Sequence, residues 1–305
     1  MDNNPYQNRF NLWSPSNRHL VAYLLMLPAI LLTLVVIAYP LLTAADLSLQ
    51  VIKITQIGRV RLPWSLDNYR ELFTSAEFWR SSWITLRLVT IVTLGCFLMG
   101  LGTALLVNNR FRGRSLARIL VALPWAVPAV LAAVIWWWMF DSSFGLINWL
   151  LVKSGLISSP VAWFSQPLTA FTVICVVMIW KGYPFVSVMV LAGLQAISED
   201  LYEAASIDGA NSWGKLRYIT LPSLRPILGV ALVLVLLWVF RDFPIIFLLT
   251  GGGPIGSTRT LAIMTYEQGF GVYNIGYAAA IGMVTLMISL ITSLFLIRRV
   301  SSSVY

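Results

Sequence analysis

Six long apolar runs, separated by shorter polar stretches, organise this chain. They cover about residues 20–43, 81–107, 119–140, 167–191, 227–250 and 275–297. Each run is continuous rather than alternating, which predicts helices and argues against the strands of an outer-membrane barrel. A helix needs about 20 mostly apolar residues to cross a bilayer core, and every run reaches that length. The first run is too long for the apolar region of a cleavable signal peptide, and no small-x-small site follows it, so it is expected to stay as a span. The expected fold class is all-α: a polytopic membrane protein with six transmembrane helices in a single domain over residues 1–305.

The connections differ in character. Residues 44–80 carry mixed charge and WSLDNYRELF, which predicts a short amphipathic helix outside the bilayer. NNRFRGRSLAR, at 108–118, holds four arginines. Residues 141–166 hold one basic residue, Lys153; residues 251–274 open with GGGP; and the tail carries Arg298 and Arg299. With the N-terminus inside, 11 lysines and arginines fall in inner segments and 7 in outer ones. Cytoplasmic loops are enriched in Lys and Arg, so both ends and the segment 192–226 are assigned to the cytoplasm. Arg9 counts among the inner residues, and Arg59 and Arg61 among the outer ones. Trp136, Trp137 and Trp138 then close the third span at its outer side, either as an interfacial belt or as a stacking platform for a sugar.

Composition excludes the main alternative to a membrane protein. The chain is 58% hydrophobic and 11% charged, with a mean hydropathy of +0.80; a soluble domain carries about 25% charged residues. The net charge of +9 flanks the apolar runs, so it reads as membrane orientation rather than nucleic-acid binding. Cys96 and Cys175 fall inside apolar runs and are expected to be small packing residues. The single histidine, His19, precedes the first run, and no His or Cys cluster has metal-ligand spacing.

One polar stretch interrupts the oily half of the chain: YEAASIDGANSW at 202–213. Ser198 can cap a short helix with Glu199 and Asp200 in its first turn, where the helix dipole favours negative charge. Asp208-Gly209 can end it, glycine taking the left-handed conformation. Asn211 or Ser212 can cap a second short helix running toward Leu221-Pro222. Ala204, Ala205 and Ala210 keep the surface low, so a partner's groove could approach the backbone; an ordinary capped hairpin has the same pattern. GANSWGKL at 209–216 falls one residue short of a phosphate-binding loop. Leu216 lacks the hydroxyl that would hold magnesium, and a polar helix rather than a buried strand precedes Gly209, so nucleotide binding by this chain is not expected.

Charges inside spans are expensive and mark functional candidates. Lys181, Arg241 and Asp242 lie deep in the late runs, while Arg87 sits nearer an end and can snorkel. If helical, adjacent Arg241 and Asp242 point about 100° apart and need separate partners, a polar cavity or a second subunit. Pro184 follows Trp180, Lys181, Gly182 and Tyr183 and removes a helix hydrogen bond. Trp180 and Tyr183 could offer aromatic faces and hydrogen bonds to a sugar, or simply pack at a kink. Gly251, Gly252, Gly253 and Pro254 are expected to end the fifth run and turn the chain sharply.

Together these motifs resemble a known family. Glu203-Ala-Ala-x-x-Asp-Gly-Ala210, followed by Ile219-x-Leu-Pro222 and Pro226, resembles the EAA loop of permease subunits of binding-protein-dependent ABC importers. WKGYPF at 180–185, LAGLQAISEDLYEAA at 191–205, FRDFPIIFLLTGGGP at 240–254 and GYAAAIGM at 276–283 resemble its sugar-type branch. Leu216 stands where the family often has an aromatic, and Pro244 where many sugar-type members have an acid. The latter weakens any transfer of substrate contacts to that position.

The resemblance implies a MetI-like permease fold in a bacterial plasma (inner) membrane. It implies a hairpin in which Glu203, Ala204, Ala205, Asp208, Gly209, Ala210, Leu216, Leu221 and Pro222 couple to an ATPase, and an outer gate near 251–254. It further implies two ATPase subunits that bind ATP and Mg, a second related permease, an extracytoplasmic solute-binding protein, and a sugar or sugar-like cargo. An anionic polyol such as a glycerol phosphate is the alternative cargo. No bond chemistry and no cofactor on this chain are implied. A membrane-embedded enzyme ranks lower, since Asp242 is the lone acid in the runs. A channel or secondary carrier also ranks lower, since no convincing internal repeat is present.

Overall fold

The computed structural model describes residues 18–56 and 62–301. Arg9, Arg59, Arg61 and both chain ends lie outside the described residues. Helices dominate the described residues, with no strand among them. Five continuous helices are long and apolar enough to span a membrane, and a sixth candidate is a bent pair.

The first span runs over Ala22–Ser48. It comprises α1 (Arg18–Thr33), a π-turn at Leu34–Ala38 and α2 (Tyr39–Ser48). Its side chains from residue 22 to residue 43 face outward almost without exception. Only its far end is anchored, where α2 packs on α14 (Ile275–Ser301). The amphipathic stretch folds as α3 (Asp67–Thr74), which buries Asn68 and Leu72 against the start of α14. Asn68 donates to the carbonyls of Ser48 and Gln50 at 2.9 Å each. Gly276 then donates its N–H to Ile52 O at 3.1 Å. Residues 44–56 and 62–74 are thereby stitched to one end of the last span.

The core is the pair α4 (Ala76–Asn108) and α8 (Pro167–Gln195), which make the most extensive helix contact in the molecule. Lipid supplies no hydrophobic push between helices, so close packing at small residues matters. A Cβ on Gly100 would stand 2.6 Å from Val186 Cβ and 3.0 Å from the backbone nitrogen of Ser187. Thr103 Oγ1 donates to Ser187 Oγ at 3.0 Å across the same seam. Cys96 and Cys175 are free and buried in this core. α8 continues unbroken through Pro184. Arg87, on the outward face of α4, lies 4.6 Å over the Phe171 ring.

Two of the expected spans are not single helices. Residues 119–140 divide into α5 (Arg114–Ala126) and α6 (Ala129–Met139), which meet at 98°. The cause is local. Pro128 forces the residue before it out of the helical region, and Val127 is extended at φ −69°, ψ 126°. Residues 227–250 divide into α11 (Leu221–Phe240) and α12 (Pro244–Thr250). Pro244 starts α12, where its missing N–H costs nothing, and Asp242 Oδ1 accepts from Ile245 N at 3.3 Å. Arg241 and Asp242 therefore lie in a helix break, not on the continuous helix that their 100° separation assumed. α12 and α6, the two short halves, pack against each other.

Candidate functional site: a hairpin and a cavity between broken spans

The polar interruption folds as a hairpin. α9 (Glu199–Ile207) is capped by Ser198, whose Oγ accepts from Asp200 N at 3.2 Å. Gly209 turns the chain at φ +79°. Asn211 Oδ1 then accepts from Gly214 N at 2.8 Å and opens α10 (Ser212–Lys215). The second arm is not a separate short helix ending at Leu221-Pro222. α10 passes through a π-turn at Leu216–Thr220 into α11, giving one helix from Ser212 to Phe240. The π-turn explains how Pro222 is tolerated: its Leu221 N–H bonds Leu216 O, five residues back, which shifts the register just before the proline.

Two side-chain bonds hold the arms together: Tyr202 Oη to Thr220 Oγ1 at 2.9 Å, and Lys215 Nζ to Ser206 Oγ at 2.5 Å. Arg110 pairs with Glu199 at 2.9 Å, so the arginine-rich loop and the hairpin occupy the same end of the bundle. Glu203, Ala204, Asp208 and Gly209 are exposed; Ala205, Ala210, Leu216, Leu221 and Pro222 are half-buried. The hairpin's surroundings present apolar groups to solvent: Ile207 is 87% exposed, Tyr218 76% and Trp213 65%.

The opposite end is built around Gly251–Pro254. Gly251 and Gly252 take φ +57° and +90°, and the Gly253–Pro254 bond is cis. Thr258 Oγ1 donates to Gly253 O at 2.7 Å. Arg80 donates to Ile255 O at 2.9 Å, and Arg259 pairs with Glu77 at 3.0 Å and Glu267 at 2.5 Å. The turn is therefore clamped to the start of α4.

Between these ends, the two helix breaks line one cavity of 240 Å³. Trp125 closes it from the end of α5, Lys181 and Gly182 from α8, Trp238 from α11, Asp242 from the second break and Ile245 from α12. Irregular backbone at membrane depth is tolerated where it is packed in protein or lines a cavity. Here it also serves the lysine: Lys181 Nζ donates to Val127 O at 2.6 Å and, more weakly, to Trp125 O at 3.5 Å. Those carbonyls are left without helix partners by the bend at Pro128.

Arg241 faces elsewhere, into a neighbouring groove of 690 Å³ between α2, α13 (Leu261–Tyr266) and α14. Trp180 does not line the Lys181 cavity; it meets Trp136 edge-on at 5.4 Å. Tyr183 is buried within the core face of α8 and does not line it either. Trp125 and Trp238, which do, were not singled out from the sequence. Nothing in the spacing of residues 125, 181, 238 and 242 announces a common site. The visible signals were Pro128 and Pro244, each in the middle of an apolar run.

Broken spans around an apolar cavity that holds one lysine and one aspartate, joined to an exposed helical hairpin at one end, fit a membrane transport subunit. The chain belongs to the binding-protein-dependent transport system inner membrane component family, which residues 92–303 match. It is a multi-pass permease of the ABC transporter class. The trehalose/maltose transport system permease protein MalF of Thermococcus litoralis is 39% identical over 270 residues, 88% of this chain and 90% of that protein. The sulfoquinovosyl glycerol transport system permease protein SmoG of Agrobacterium fabrum is 35% identical, covering 94% of this chain and 93% of its own length. A chain of a bacterial ABC transporter involved in the import of the acidic polysaccharide alginate superposes with a TM-score of 0.81 at 26% identity, over 95% of this chain and 98% of that one.

Proposed function

We propose that this chain is a permease subunit of an ATP-driven importer that carries a sugar or sugar derivative delivered by an extracytoplasmic solute-binding protein. It works beside a second, related permease and two ATPase subunits, which bind the ATP and Mg. The observation that carries this reading is the capped, exposed hairpin at 198–222 on a bundle whose spans break around a cavity. The named relatives support the cargo class, since those proteins are described as serving trehalose/maltose, sulfoquinovosyl glycerol and alginate.

In this reading the hairpin lies in the cytoplasm, together with the 108–118 loop and both chain ends. The Arg110–Glu199 pair supports the common side for the two loops. Closure of the ATPases pushes on the hairpin, and the push travels along the unbroken helix from Ser212 to Phe240 to the break at Arg241–Asp242. Lys181 and Asp242 line the pathway from the cavity and Arg241 from the neighbouring groove, and Gly251–Pro254 forms the outer gate. Co-purification of the tagged chain with a second permease and an ATPase tests the assembly; recovery of the chain alone from native membranes would count against it.

Arg241→Ala is expected to lower uptake in proteoliposomes by roughly 10- to 150-fold, the scale of one lost charge-assisted hydrogen bond of about 1.5–3 kcal/mol. The variant complex should still co-purify intact. Uptake at the normal rate would remove Arg241 from the pathway.

A further inference from the structure

Residues 251–260 join α12 to α13 without a helix of their own. Three bonds tie this link and the start of α13 to α4. Arg259 donates to Glu77 at 3.0 Å, Arg80 to Ile255 O at 2.9 Å, and Leu261 N to Thr85 Oγ1 at 3.0 Å. We propose that Arg259 is a positioning residue for energy coupling: it holds the link on α4, so that motion arriving along α11 must be absorbed at the Arg241–Asp242 break. The proposal rests on the ATP-driven import reading above.

The ties reach α4 at residues 77, 80 and 85, over about 12 Å of helix. That helix is itself fixed along α8 by the close seam at Gly100. The link is also braced internally. Thr258 is buried, donates to Gly253 O at 2.7 Å and lies 2.7 Å from Thr250 Oγ1. Gly252 packs on α13, where a Cβ would stand 3.0 Å from Ile263 Cγ2.

Two of the three ties are α4 side chains on backbone atoms. Arg259 is the side chain through which the link itself grips α4. It is half-buried and serves two carboxylates on different elements. Its Nε donates to Glu267, in the π-turn at Glu267–Gly271, at 2.5 Å, while the Glu77 arm reaches the first turn of α4. A planar guanidinium suits such a bridge, because its donors point in fixed, separate directions. The arms differ in reach. Glu267 is 8 residues away in the chain, so its arm closes a local loop. Glu77 is 182 residues away, so its arm joins two bodies.

The consequence lies at the break. α12 packs on α6 and α8, and its far end is held through the link. α11, in contrast, continues the helix that rises from the hairpin. With α12 held, a displacement of α11 is taken up between Phe240 and Pro244. With the link released, α12 can follow α11, and the hairpin can move without opening the outer end. Coupling between sites is reciprocal. A grip that makes ATPase closure move the outer end also makes a resting outer end resist closure. Losing the grip therefore raises the ATP hydrolysis that proceeds without a binding protein.

The test is ATP hydrolysis by the complete transporter in lipid nanodiscs, with neither binding protein nor sugar, beside thermal unfolding of each variant. Arg259→Gln is expected to raise hydrolysis about fivefold or more, the low end of ordinary coupling between sites. Glu77→Gln should raise it about threefold, the scale of a partly exposed ion pair. The Glu77 side chain is 62% exposed and that of Glu267 35%, so Glu77→Gln keeps the fold even where Arg259→Gln does not. Glu267→Gln, which cuts the local arm, should raise hydrolysis less than Glu77→Gln and lower the melting temperature more. A cluster that only stabilises the fold predicts lower hydrolysis in all three. Unchanged or lower hydrolysis in Glu77→Gln would overturn the proposal and leave ATP-driven import standing. A rise in Glu267→Gln as large as that in Glu77→Gln would overturn it too. A wild-type complex that hydrolyses no ATP even with its binding protein would remove the ATP-driven reading, and this proposal with it.

Discussion

Replacing Gly209 by valine is expected to lower binding-protein-stimulated ATP hydrolysis by the reconstituted transporter about tenfold, with the chain still inserted and assembled. Gly209 sits at φ +79°, and a Cβ there would meet nothing within 4 Å. The penalty is therefore purely conformational. A left-handed residue other than glycine costs about 1–2 kcal/mol, and a β-branched one is a genuine outlier there. The hairpin would relieve that strain by changing its turn, which moves α9 relative to α10 and displaces the exposed surface between them. The effect reaches the proposed ATPase-facing surface before it reaches the bundle, because the turn is exposed and the arms are tied farther back by Tyr202–Thr220. Glu203→Ala, which removes an exposed carboxylate from the same surface, is expected to act in the same direction and more weakly. Unchanged stimulation in both variants would remove the hairpin from the coupling role.

The second large effect is expected at the other end of the molecule. Gly276→Val should destabilise the docking of residues 44–56 and 62–74 by about 3 kcal/mol or more, the sum of overpacking and of buried hydrogen bonds lost. A Cβ at this position would stand 1.9 Å from Gln50 O and 3.0 Å from Asn68 Nδ2. Neither neighbour can yield easily. Gln50 O accepts from Asn68, and Asn68 is itself buried. The measurement is thermal unfolding in detergent, alongside protease cleavage between residues 44 and 74. Gly102→Ala is the matched control, since its Cβ would meet nothing within 4 Å and alanine favours a helix interior. A Gly276 variant that melts with Gly102→Ala would show that the tight approach is not limiting.

The hairpin was legible residue by residue. Ser198, Gly209 and Asn211 act on backbone groups two or three positions away, so their chemistry is written locally. Its second arm was less legible. Pro222 suggests an ending, and only the π-turn before it shows the helix continuing. The spans were legible as apolar runs, but two of their interruptions were not. Hydropathy averages over a window, so Pro128 and the Arg241–Asp242 pair before Pro244 do not lower either run below the apolarity of a span. Lys181 and Asp242 were legible as costly charges, whereas their shared cavity was not.

By itself the sequence determined what each short stretch must do in its solvent: apolar runs become helices in lipid, and caps and glycines turn the chain outside it. Which breaks meet, and which charges face one space, only the tertiary structure decided. Residues 125, 181 and 242 come together because α5 and α6 meet at 98° and α11 stops at Phe240. The free energy of an intramembrane charge depends on such neighbours, distant in the chain, and no local pattern encodes them.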